Sequence, residues 1–434
     1  PQTMFAGVWK LPAGCWLEVE EGTIGAGRYW DAVPGQGIDP AETKGLSDKA
    51  LEAFYVDGIR SRLEEAVEKR MMADVPVGVF LSGGVDSSTN VALMSRHSNG
   101  PVRTFKDHQH LNELDHARRI ADRYQTDHHE ILIEEADMVG YLEQLVHHQD
   151  EPIADWVCIP LHFVSKLAKD AGVTVIQVGE GADEQFCGYA SYMGYLRLYH
   201  RYWHPFRSYL PGFARKGIAS LAMTAASMRP SLMVYADIID RAAHDREHFW
   251  SGATVFWENL KRTIVNPEAF QPAPVDADMR ATGLLPPDYE ETDTFNIIRS
   301  FLGPFDAAHP GQDALTRMIH NEFRLRLPEL LLMRVDKITM SSSLEARVPF
   351  LDDKLVSFTM DIPEAWKTRG GEPKYLLKKA VEDLLPHDLI YRKKQGFGAP
   401  MSEWLRGKFG QQARDTIMQS QLMQRGFFKT EAIE

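Results

Sequence analysis

The stretch from Val77 to Ser88, VGVFLSGGVDSS, constrains the fold most strongly. Its apolar start predicts a buried parallel strand, Ser82-Gly83-Gly84 predict a tight turn, and the run from Asp86 to about Arg96 predicts a helix. Two glycines let backbone N–H groups approach a ligand closely, and the helix N-terminus adds positive potential. The stretch is therefore expected to bind a phosphate, with Asp86 either capping the helix or binding a magnesium ion that balances the phosphate charge.

This loop differs from two widespread phosphate-binding loops. No Gly-Lys-[Ser/Thr] follows the glycines, so it is not a Walker A motif, and it lacks the G-x-G-x-x-G spacing of a Rossmann turn. It instead resembles the S-G-G-x-D-S-S loop of the N-type ATP pyrophosphatases, which hold the pyrophosphate of ATP while a substrate oxygen attacks the α-phosphorus. That resemblance implies adenylation of a substrate.

Further strand and helix patterns alternate after the loop. Strands are expected at 102–105, 128–133 and 173–178 with helices between them, and only helical periodicity is expected beyond Tyr192. This alternation predicts an α/β fold with a doubly wound parallel sheet, in which ligands lie beyond the carboxyl ends of the strands. The C-terminal part is expected to be mainly helical.

A second glycine-containing loop, GEGADE at 179–184, follows the strand expected at 173–178. Because carboxylates repel a triphosphate, Asp183 is expected to act together with Asp86 through a bridging Mg²⁺ ion. Glu180, between two glycines, is a candidate to position an amine nucleophile or to accept its proton. Both loops are expected at the same edge of the sheet.

Two lysines late in the chain are candidate catalytic cations. Lys374 and Lys394 lie near glycine and aromatic residues, and a fixed ammonium group would stabilise the charge on a pentavalent α-phosphorus and on departing pyrophosphate. The segment 327–352 also carries many charges in an apolar context, and these must be paired if they are buried. Local pairs are expected there: Asp336 with Arg334 or Lys337, and Glu345 with Arg347.

Composition limits the class of protein. The 434 residues include 61 acidic and 48 basic side chains, a formal net charge of -13, which disfavours a broad nucleic-acid surface. The cysteines, Cys15, Cys158 and Cys187, are widely spaced and favour a reduced, cytoplasmic setting. No apolar run reaches the roughly 18 residues that a bilayer span needs. Neither a nucleic-acid nor a membrane partner is expected.

Over most of its length the chain resembles the synthetase half of the glutamine-dependent asparagine synthetases. The segments that carry the resemblance, in family order, are DVPVGVFLSGGVDSS (74–88), TDHHE (126–130), VGEGADEQFCGY (178–189), RVDKITMSSSLEARVPFLD (334–352), KYLLKKA (374–380) and RKKQGF (392–397). The resemblance implies an ATP-pyrophosphatase fold of the adenine nucleotide alpha-hydrolase type, with ATP and Mg²⁺ as cofactors.

The resemblance also implies a role for each candidate residue. Leu81 and Gly179 would flank the adenosine of ATP. The residues that would hold its phosphates are Ser82, Gly83, Gly84, Asp86, Ser87, Ser88 and Lys374. Asp86 and Asp183 would bind Mg²⁺, Glu180 would assist the ammonia step, and Lys394 would stabilise the transition state. In the family, aspartate is converted to β-aspartyl-AMP, and ammonia then displaces AMP.

Residues 1–45 read as short strands and turns that are too few and too rich in glycine for a domain. They resemble the junction at which the family's glutaminase domain meets the synthetase, so a longer native chain is expected, with ammonia from a glutaminase domain upstream or in trans. The other parts expected are an ATP-pyrophosphatase core at 46–200, a helical insertion at 201–320 and a helical part at 321–434 that completes the active site. A homodimer is possible.

Two departures from the family pattern bear on the substrates. The family's T-F-x-[VI]-G-F piece, which lies against the adenine, is missing after Phe105, and Trp156 stands where a small polar residue is expected near the substrate. The leading interpretation is an ATP-dependent amide ligase acting on aspartate or a similar acid. The alternatives are amidation of a sugar uronic acid in surface-polysaccharide assembly, intramolecular amide formation as in β-lactam synthetases, and a catalytically silent binding or assembly module.

Overall fold

The computed structural model describes the whole chain except residues 109–113, 253–255, 257, 270–273, 290–293, 393–404 and 434. The chain divides into two compact units. The first unit contains Pro1–Asp31, Tyr189–Arg324 and Gly410–Glu434, and the second contains Ala32–Gly188 and Leu325–Phe409. The four-part division expected from the sequence stays a prediction.

The described residues form strands and helices with the following bounds. The strands are β1 (Cys15–Glu20), β2 (Thr23–Arg28), β3 (Val77–Phe80), β4 (Arg103–His108), β5 (Asp127–Leu132), β6 (Val175–Gln177) and β7 (Glu345–Arg347). The α-helices are α1 (Pro40–Thr43), α2 (Asp48–Lys69), α3 (Val85–His97), α4 (Leu114–Tyr124), α5 (Glu135–Gln149), α6 (Cys158–Asp170), α7 (Ala182–Gln185), α8 (Ala190–Leu198), α9 (His204–Tyr209), α10 (Gly212–Met228), α11 (Met233–Ala243), α12 (Glu258–Ile264), α13 (Ala277–Ala281), α14 (Thr294–Ala308), α15 (Ala314–Arg324), α16 (Met333–Ser341), α17 (Asp353–Met360), α18 (Glu364–Lys367), α19 (Tyr375–Ala380), α20 (His387–Ile390), α21 (Lys408–Met418), α22 (Gln421–Gln424) and α23 (Thr430–Ile433). Two π-helical segments, Tyr199–Trp203 and Leu327–Leu332, precede α9 and α16.

The second unit is built on a five-stranded sheet in the order β5-β4-β3-β6-β7. Every neighbouring pair in it is parallel. Helices separate β3, β4, β5 and β6 along the chain, so the α/β doubly wound prediction is confirmed. The strand order reverses between β3 and β6, and this reversal is the place where such sheets bind ligands beyond their carboxyl ends.

Strand β4 is longer than the sequence indicates. It was expected to end at Phe105, but its pairing with β5 continues through Lys106, Asp107 and His108. Lys106 and Asp107 are buried although both are charged, and their side-chain atoms Nζ and Oδ1 lie 3.8 Å apart. Backbone pairing with β5, rather than hydropathy, therefore sets the end of this strand.

Strand β7 was not predicted, because no strand was expected beyond Tyr192. It pairs in parallel with β6, with Glu345 opposite Val175 and Arg347 opposite Gln177. This strand has only three residues, of which the first and last are charged, so it shows no alternation of apolar and polar positions. Its pairing with β6, and not its own sequence pattern, makes it a strand.

Helices cover both faces of this sheet. One core includes Ile59 and Leu63 of α2, Val91 of α3 and Leu377 of α19 against Val79 of β3. The core on the other face joins β4 and β6 to α6 and α16, with Phe105, Ile176, Val164 and Ile338 among its members. A strand buried on both faces reads as a continuous apolar run, which is why β3 was recognisable in the sequence.

The first unit combines a hairpin with helices. β1 and β2 pair antiparallel around a turn at Glu21 and Gly22, and α10 packs against α11.

Among the described residues, no helix combines the length and the apolar character needed to cross a lipid bilayer.

A buried histidine makes the first unit sensitive to acid. His248 is 5% exposed, and burial lowers its pKa from 6.5 to about 4 although its Nε2 lies 2.9 Å from the carbonyl oxygen of Tyr195. Because the folded pKa is below the unfolded value, the unfolded chain binds the proton first, and stability is lost as pH falls from about 6.5 to about 4. We expect a loss of about 2 to 3 kcal/mol over that range.

Chemical denaturation of the wild-type protein and of His248→Gln at pH 7 and pH 4.5 measures this contribution. The variant should lose less stability than the wild type when the pH falls from 7 to 4.5. If the wild type and His248→Gln lost the same stability between pH 7 and pH 4.5, the buried imidazole would not be the cause of the acid sensitivity.

Candidate functional site

The loop after β3 has the backbone geometry of an anion site. Gly83 has a φ of +72°, a conformation that side-chain-bearing residues rarely adopt, and an added Cβ there would lie 2.8 Å from the backbone nitrogen of Ala117. Helix α3 then begins at Val85, and its N-cap, Gly84, provides no side-chain hydrogen bond to the first N–H groups. These groups and the helix dipole are available to an anion. The predicted strand, turn and helix are confirmed.

Serine hydroxyls fix the shape of this loop. The Ser82 backbone N–H donates to Ser87 Oγ at 3.1 Å, the hydroxyls of Ser82 and Ser87 lie 2.9 Å apart, and the Gly84 N–H donates to Ser82 Oγ at 3.3 Å. Ser88 is fully buried within α3. The loop is therefore held in its conformation by its own side chains.

The two predicted loops meet where the strand order reverses. Gly179 follows β6, and a Cβ added to it would lie 3.0 Å from Asp86 Cβ and 3.4 Å from the Ser87 nitrogen. Asn90 Nδ2 also donates to the carbonyl oxygen of Val178 at 3.1 Å. Leu81, fully buried, donates its N–H to the Phe105 carbonyl at 2.9 Å. Glycine at 179 permits the close approach of the second loop to the first.

Three predicted site residues form one ionic cluster. Lys374 Nζ lies 2.6 and 2.7 Å from the two carboxylate oxygens of Asp86 and 2.7 Å from Asp183 Oδ1. Burial alone would lower the pKa of the Lys374 ammonium, but Asp183 and Asp86 raise this pKa above its ordinary value. The lysine is therefore charged at neutral pH, and the cluster carries one net negative charge.

The backbone around Lys374 is also constrained. Lys374 has a φ of 58° and precedes α19, and its N–H donates to the carbonyl oxygen of Phe186 at 3.0 Å. Gly188 lies on the other side of the cluster, where an added Cβ would be 2.0 Å from Asp183 Oδ1 and 2.1 Å from Lys374 Cε. Gly188 lies in the family-like segment 178–189, but its role was not predicted from the sequence.

The carboxylates of Asp86 and Asp183 fit part of a magnesium site. Both carboxylates point to the same position, which the Lys374 ammonium group occupies in this structure. Mg²⁺ prefers oxygen ligands and is commonly bound by one or two carboxylates, with water and substrate phosphates completing its shell. Within the described ranges no group of three or more His, Cys, Asp or Glu residues could hold a metal by itself. Nucleotide phosphates would thus be needed to complete such a site.

Each acidic side chain of the second loop pairs with a different cation from the C-terminal part of the same unit. Asp183 pairs with Lys374. Glu184, which is fully buried, lies 3.6 Å from Arg326, and Glu180 lies 2.9 Å from Arg334. Arg326 is the N-cap of the π-helical segment Leu327–Leu332, and Arg334 lies two residues after this segment, in the first turn of α16. This segment therefore anchors both ends of the acidic loop.

Arg334 joins two acidic residues that are far apart in sequence. Its Nη1 donates to Asp155 Oδ2 at 2.5 Å and its Nη2 to Glu180 Oε1 at 2.9 Å. Burial by itself would lower the pKa of the guanidinium, but Glu180 and Asp155 raise this pKa, so it stays charged. The expectation that Arg334 or Lys337 pairs with Asp336 is wrong, because Lys337 pairs with Asp150 at 2.8 Å. The local pair of Arg347 with Glu345, at 2.7 Å, is confirmed.

The last predicted site residue, Lys394, lies outside the described residues. Its neighbour Arg392 is described, and Arg392 Nη2 donates to the Gly83 carbonyl oxygen at 3.0 Å. Arg392 belongs to the RKKQGF segment at 392–397, but a role for it was not predicted from the sequence. The contact shows that the chain entering this segment reaches the first loop.

Comparison with known proteins bears on the family of this chain. The family model for asparagine synthase matches residues 58–434. Asparagine synthetase [glutamine-hydrolyzing] 1 of Bacillus subtilis (strain 168) is 30% identical over 97% of this chain and 60% of its own length. A putative asparagine synthetase [glutamine-hydrolyzing] of Mycobacterium bovis is 32% identical over 97% and 59%, and Amidase chyE of Penicillium rubens is 24% identical over 98% and 63%.

The chain spans about 60% of the length of the curated relatives named first. The family match, in contrast, includes both loops, the ionic cluster and all three cationic partners of the acidic loop. On this evidence the chain belongs to the asparagine synthase family.

Proposed function

We propose that this protein is the synthetase part of an ATP-dependent amidotransferase, which adenylates a carboxylic acid and converts the adenylate into an amide. The observation that carries the proposal is the meeting of an uncapped helix N-terminus with Asp86, Asp183 and Lys374 at the strand-order reversal of a parallel sheet. An anion-binding helix end beside a fixed ammonium and two carboxylates suits a nucleotide triphosphate accompanied by a divalent cation.

In the first step a carboxylate oxygen of the substrate attacks the α-phosphorus of ATP, and pyrophosphate leaves. The N–H groups of the first loop and the Lys374 ammonium bind the phosphates and stabilise the charge that moves onto pyrophosphate. Mg²⁺, held by Asp86 and Asp183 with the phosphates, would supply further charge neutralisation. Lys394 is proposed to stabilise the same negative charge as it moves onto pyrophosphate.

In the second step ammonia attacks the acyl carbon, and AMP leaves. Glu180 is proposed to hold the ammonia by a hydrogen bond and to accept a proton as the C–N bond forms. Its side chain is partly exposed, as this role requires, and is oriented by Arg334 at 2.9 Å.

We propose that the ammonia derives from glutamine, released by a glutaminase domain upstream or in trans. The β1–β2 hairpin supports a protein partner in that region, because it exposes apolar side chains on both faces of the ribbon: Trp16, Leu17, Val19 and Ile24. Large exposed apolar patches mark interaction sites. The described chain by itself would then use ammonium but not glutamine.

Trp156 supports a second candidate substrate class. Its side chain is exposed and follows Asp155, which Arg334 ties to Glu180. An indole face stacks well against the C–H face of a pyranose ring or another flat body, so a sugar uronic acid is the second candidate beside aspartate.

Pyrophosphate release with aspartate, glutamate, glucuronate and galacturonate, each with and without ammonium, tests both candidates. Because adenylation itself releases pyrophosphate once, the informative quantity is continued release over many turnovers. Continued release that needs aspartate and ammonium would support asparagine synthesis, and continued release that needs a uronate and ammonium would support sugar amidation. Continued release without ammonium, from an acid carrying its own amine, would point to an intramolecular amide instead. No release with any acid would contradict the proposed function.

A substitution at Gly188 tests the importance of the ionic cluster. Gly188→Ala places a methyl group about 2 Å from Asp183 Oδ1 and Lys374 Cε, so the lysine and carboxylates must move apart. We expect pyrophosphate release to fall at least ~10-fold, since shifts of about 1 Å in a catalytic group are costly. The matched control is Gly140→Ala in α5, where an added Cβ meets nothing within 4 Å, and which should leave activity unchanged. Normal activity in Gly188→Ala would show that the cluster can reorganise freely.

A further inference from the structure

The first unit contains a segment whose charge is opposite to that of the whole chain. Residues 189–236 include six arginines and lysines and no aspartate or glutamate, whereas the chain as a whole has a formal net charge of -13. Arg207 and Arg215 pair with Asp245, at 3.1 and 2.8 Å. The remaining cations are Arg197, Arg201, Lys216 and Arg229, all exposed, and none of them has a carboxylate within 4 Å among the described residues. This segment therefore presents uncompensated positive charge.

Helix α10, within this segment, exposes an apolar ridge. Phe213, Leu221 and Met228 are 82%, 73% and 78% exposed. Their spacing of eight and seven residues places them on one side of the helix, with Gly217 and Thr224 between them. The opposite side of α10, with Ala219 and Ala226, is buried. The helix thus turns its large apolar side chains outward and its small ones inward.

Aromatic residues continue this surface on the neighbouring helices. Tyr209 at the end of α9 is 83% exposed, and Tyr202 and Tyr235 are also exposed. Helix α10 contacts both α9 and α11. Exposed tyrosines beside an apolar ridge and cationic side chains are the composition of helices that lie in the interface of a bilayer.

We infer that this surface, formed by α9, α10 and the start of α11 up to residue 236 with the flanking cations, binds the surface of an anionic lipid bilayer. Phe213, Leu221 and Met228 would enter the boundary between headgroups and acyl chains, while Arg201, Lys216 and Arg229 contact the lipid phosphates. The expectation of no membrane partner rested on the lack of a spanning run, and peripheral binding by an amphipathic helix needs no such run.

Charge complementarity selects this partner over the other occupants of an apolar face. A second copy of the chain docked on the same face would bring two cationic segments together, which costs free energy. A nucleic acid would satisfy the cations but would leave the apolar ridge in water. An anionic bilayer meets both requirements at once.

Flotation of the full chain with lipid vesicles tests the inference. Vesicles of phosphatidylcholine with about 30% phosphatidylglycerol should carry the wild-type protein at low salt, pure phosphatidylcholine vesicles should carry much less, and binding should weaken as salt rises. The triple variant Arg201→Gln, Lys216→Gln, Arg229→Gln should bind anionic vesicles about 100-fold more weakly. The variant Phe213→Ser, Leu221→Ser, Met228→Ser should also lose binding.

Two matched variants control for charge and for exposed apolar area. Lys44→Gln, Lys49→Gln, Arg123→Gln removes three exposed cations elsewhere, and Met72→Ser, Val146→Ser removes two exposed apolar side chains elsewhere; both should bind like the wild type. Thermal melts should show that every variant is folded.

Three outcomes would overturn the inference: a wild-type protein that does not float with anionic vesicles, binding equally weakened by the control variants, or a dimer in light scattering that only the Phe213, Leu221 and Met228 substitutions dissociate. The last result would assign the face to a second copy. Because none of these measurements involves turnover, the inference can fail while the proposed function stands.

Discussion

Asp86→Asn is expected to abolish pyrophosphate release, by a factor of at least ~1000, while the protein remains folded. Asp86 accepts two short hydrogen bonds from Lys374 and lies in the first turn of α3, beside the N–H groups proposed to bind phosphates. The amide keeps the shape of the side chain but loses the charge that a magnesium ion and the ammonium require. Asp183→Asn should have a similar effect, since it removes the other carboxylate that reaches Lys374 Nζ at 2.7 Å.

The stability of Asp86→Asn should fall only moderately. Removing one partner of a buried ion pair can cost about 3 to 5 kcal/mol when the other charge is left alone. Lys374 keeps Asp183 as a partner in the variant, so we expect the lower end of that range or less. A folded but inactive protein is the result that separates a catalytic carboxylate from a structural one.

Glu65→Gln is the matched control for Asp86→Asn. Glu65 also contacts two lysines, Lys69 at 2.8 Å and Lys354 at 3.0 Å, but it lies on the surface of α2. Surface pairs contribute little to stability, so both activity and melting temperature should stay close to those of the wild type. If Asp86→Asn kept more than a tenth of wild-type pyrophosphate release, the proposed magnesium role of Asp86 would be wrong.

Local signals explain which parts of this fold could be predicted from sequence. The β3 strand, the glycine turn and α3 lie within 21 contiguous residues, 77–97, and each carries its own pattern of apolar, glycine or helical positions. Chain-local features of this kind are visible without tertiary information. The two loops could likewise be placed at one sheet edge, because parallel strands end on the same side.

The parts that failed depend on partners distant in sequence. Arg334 lies 179 residues from Asp155 and 154 residues from Glu180 in the sequence. No local pattern indicates that its guanidinium pairs with these two carboxylates and not with the nearby Asp336. Strand β7 forms by pairing with β6, and β4 continues past Phe105 because the neighbouring residues of β5 pair with it. Long-range pairing, rather than propensity, decides such features.

Arg334→Met should separate the two proposed chemical steps. Arg334 contacts Glu180 and Asp155 but not the cluster of Asp86, Asp183 and Lys374, so the adenylation site keeps its own contacts in the variant. Without the guanidinium, Glu180 loses the group that fixes its position. We expect ammonium-dependent amide formation to fall about 100-fold, while acid-dependent exchange of pyrophosphate into ATP falls less than about 10-fold. This prediction rests on the proposed function.

Conservative and double substitutions distinguish positioning from simple support of the fold. Arg334→Lys keeps the charge but lacks the planar fork that reaches both carboxylates, so it should show an intermediate loss of amide formation. Adding Arg334→Met to Glu180→Gln should cost little beyond Glu180→Gln alone, because residues that act as a unit are not additive. Arg60→Met, which removes a partly buried arginine paired with Asp383 at 3.0 Å, is the control and should affect neither step.

The rates of pyrophosphate exchange and of amide formation in Arg334→Met distinguish a positioning role of Arg334 from a structural one. If Arg334→Met lowered pyrophosphate exchange and amide formation by the same factor, together with the melting temperature, Arg334 would be a structural residue and Glu180 would owe its position to something else. If only amide formation fell, and Glu180→Gln reproduced the pattern, the ammonia step would be assigned to the glutamate that Arg334 holds. The π-helical segment would then matter for catalysis, because it sets the direction of Arg334 relative to Arg326, which anchors the other end of the acidic loop.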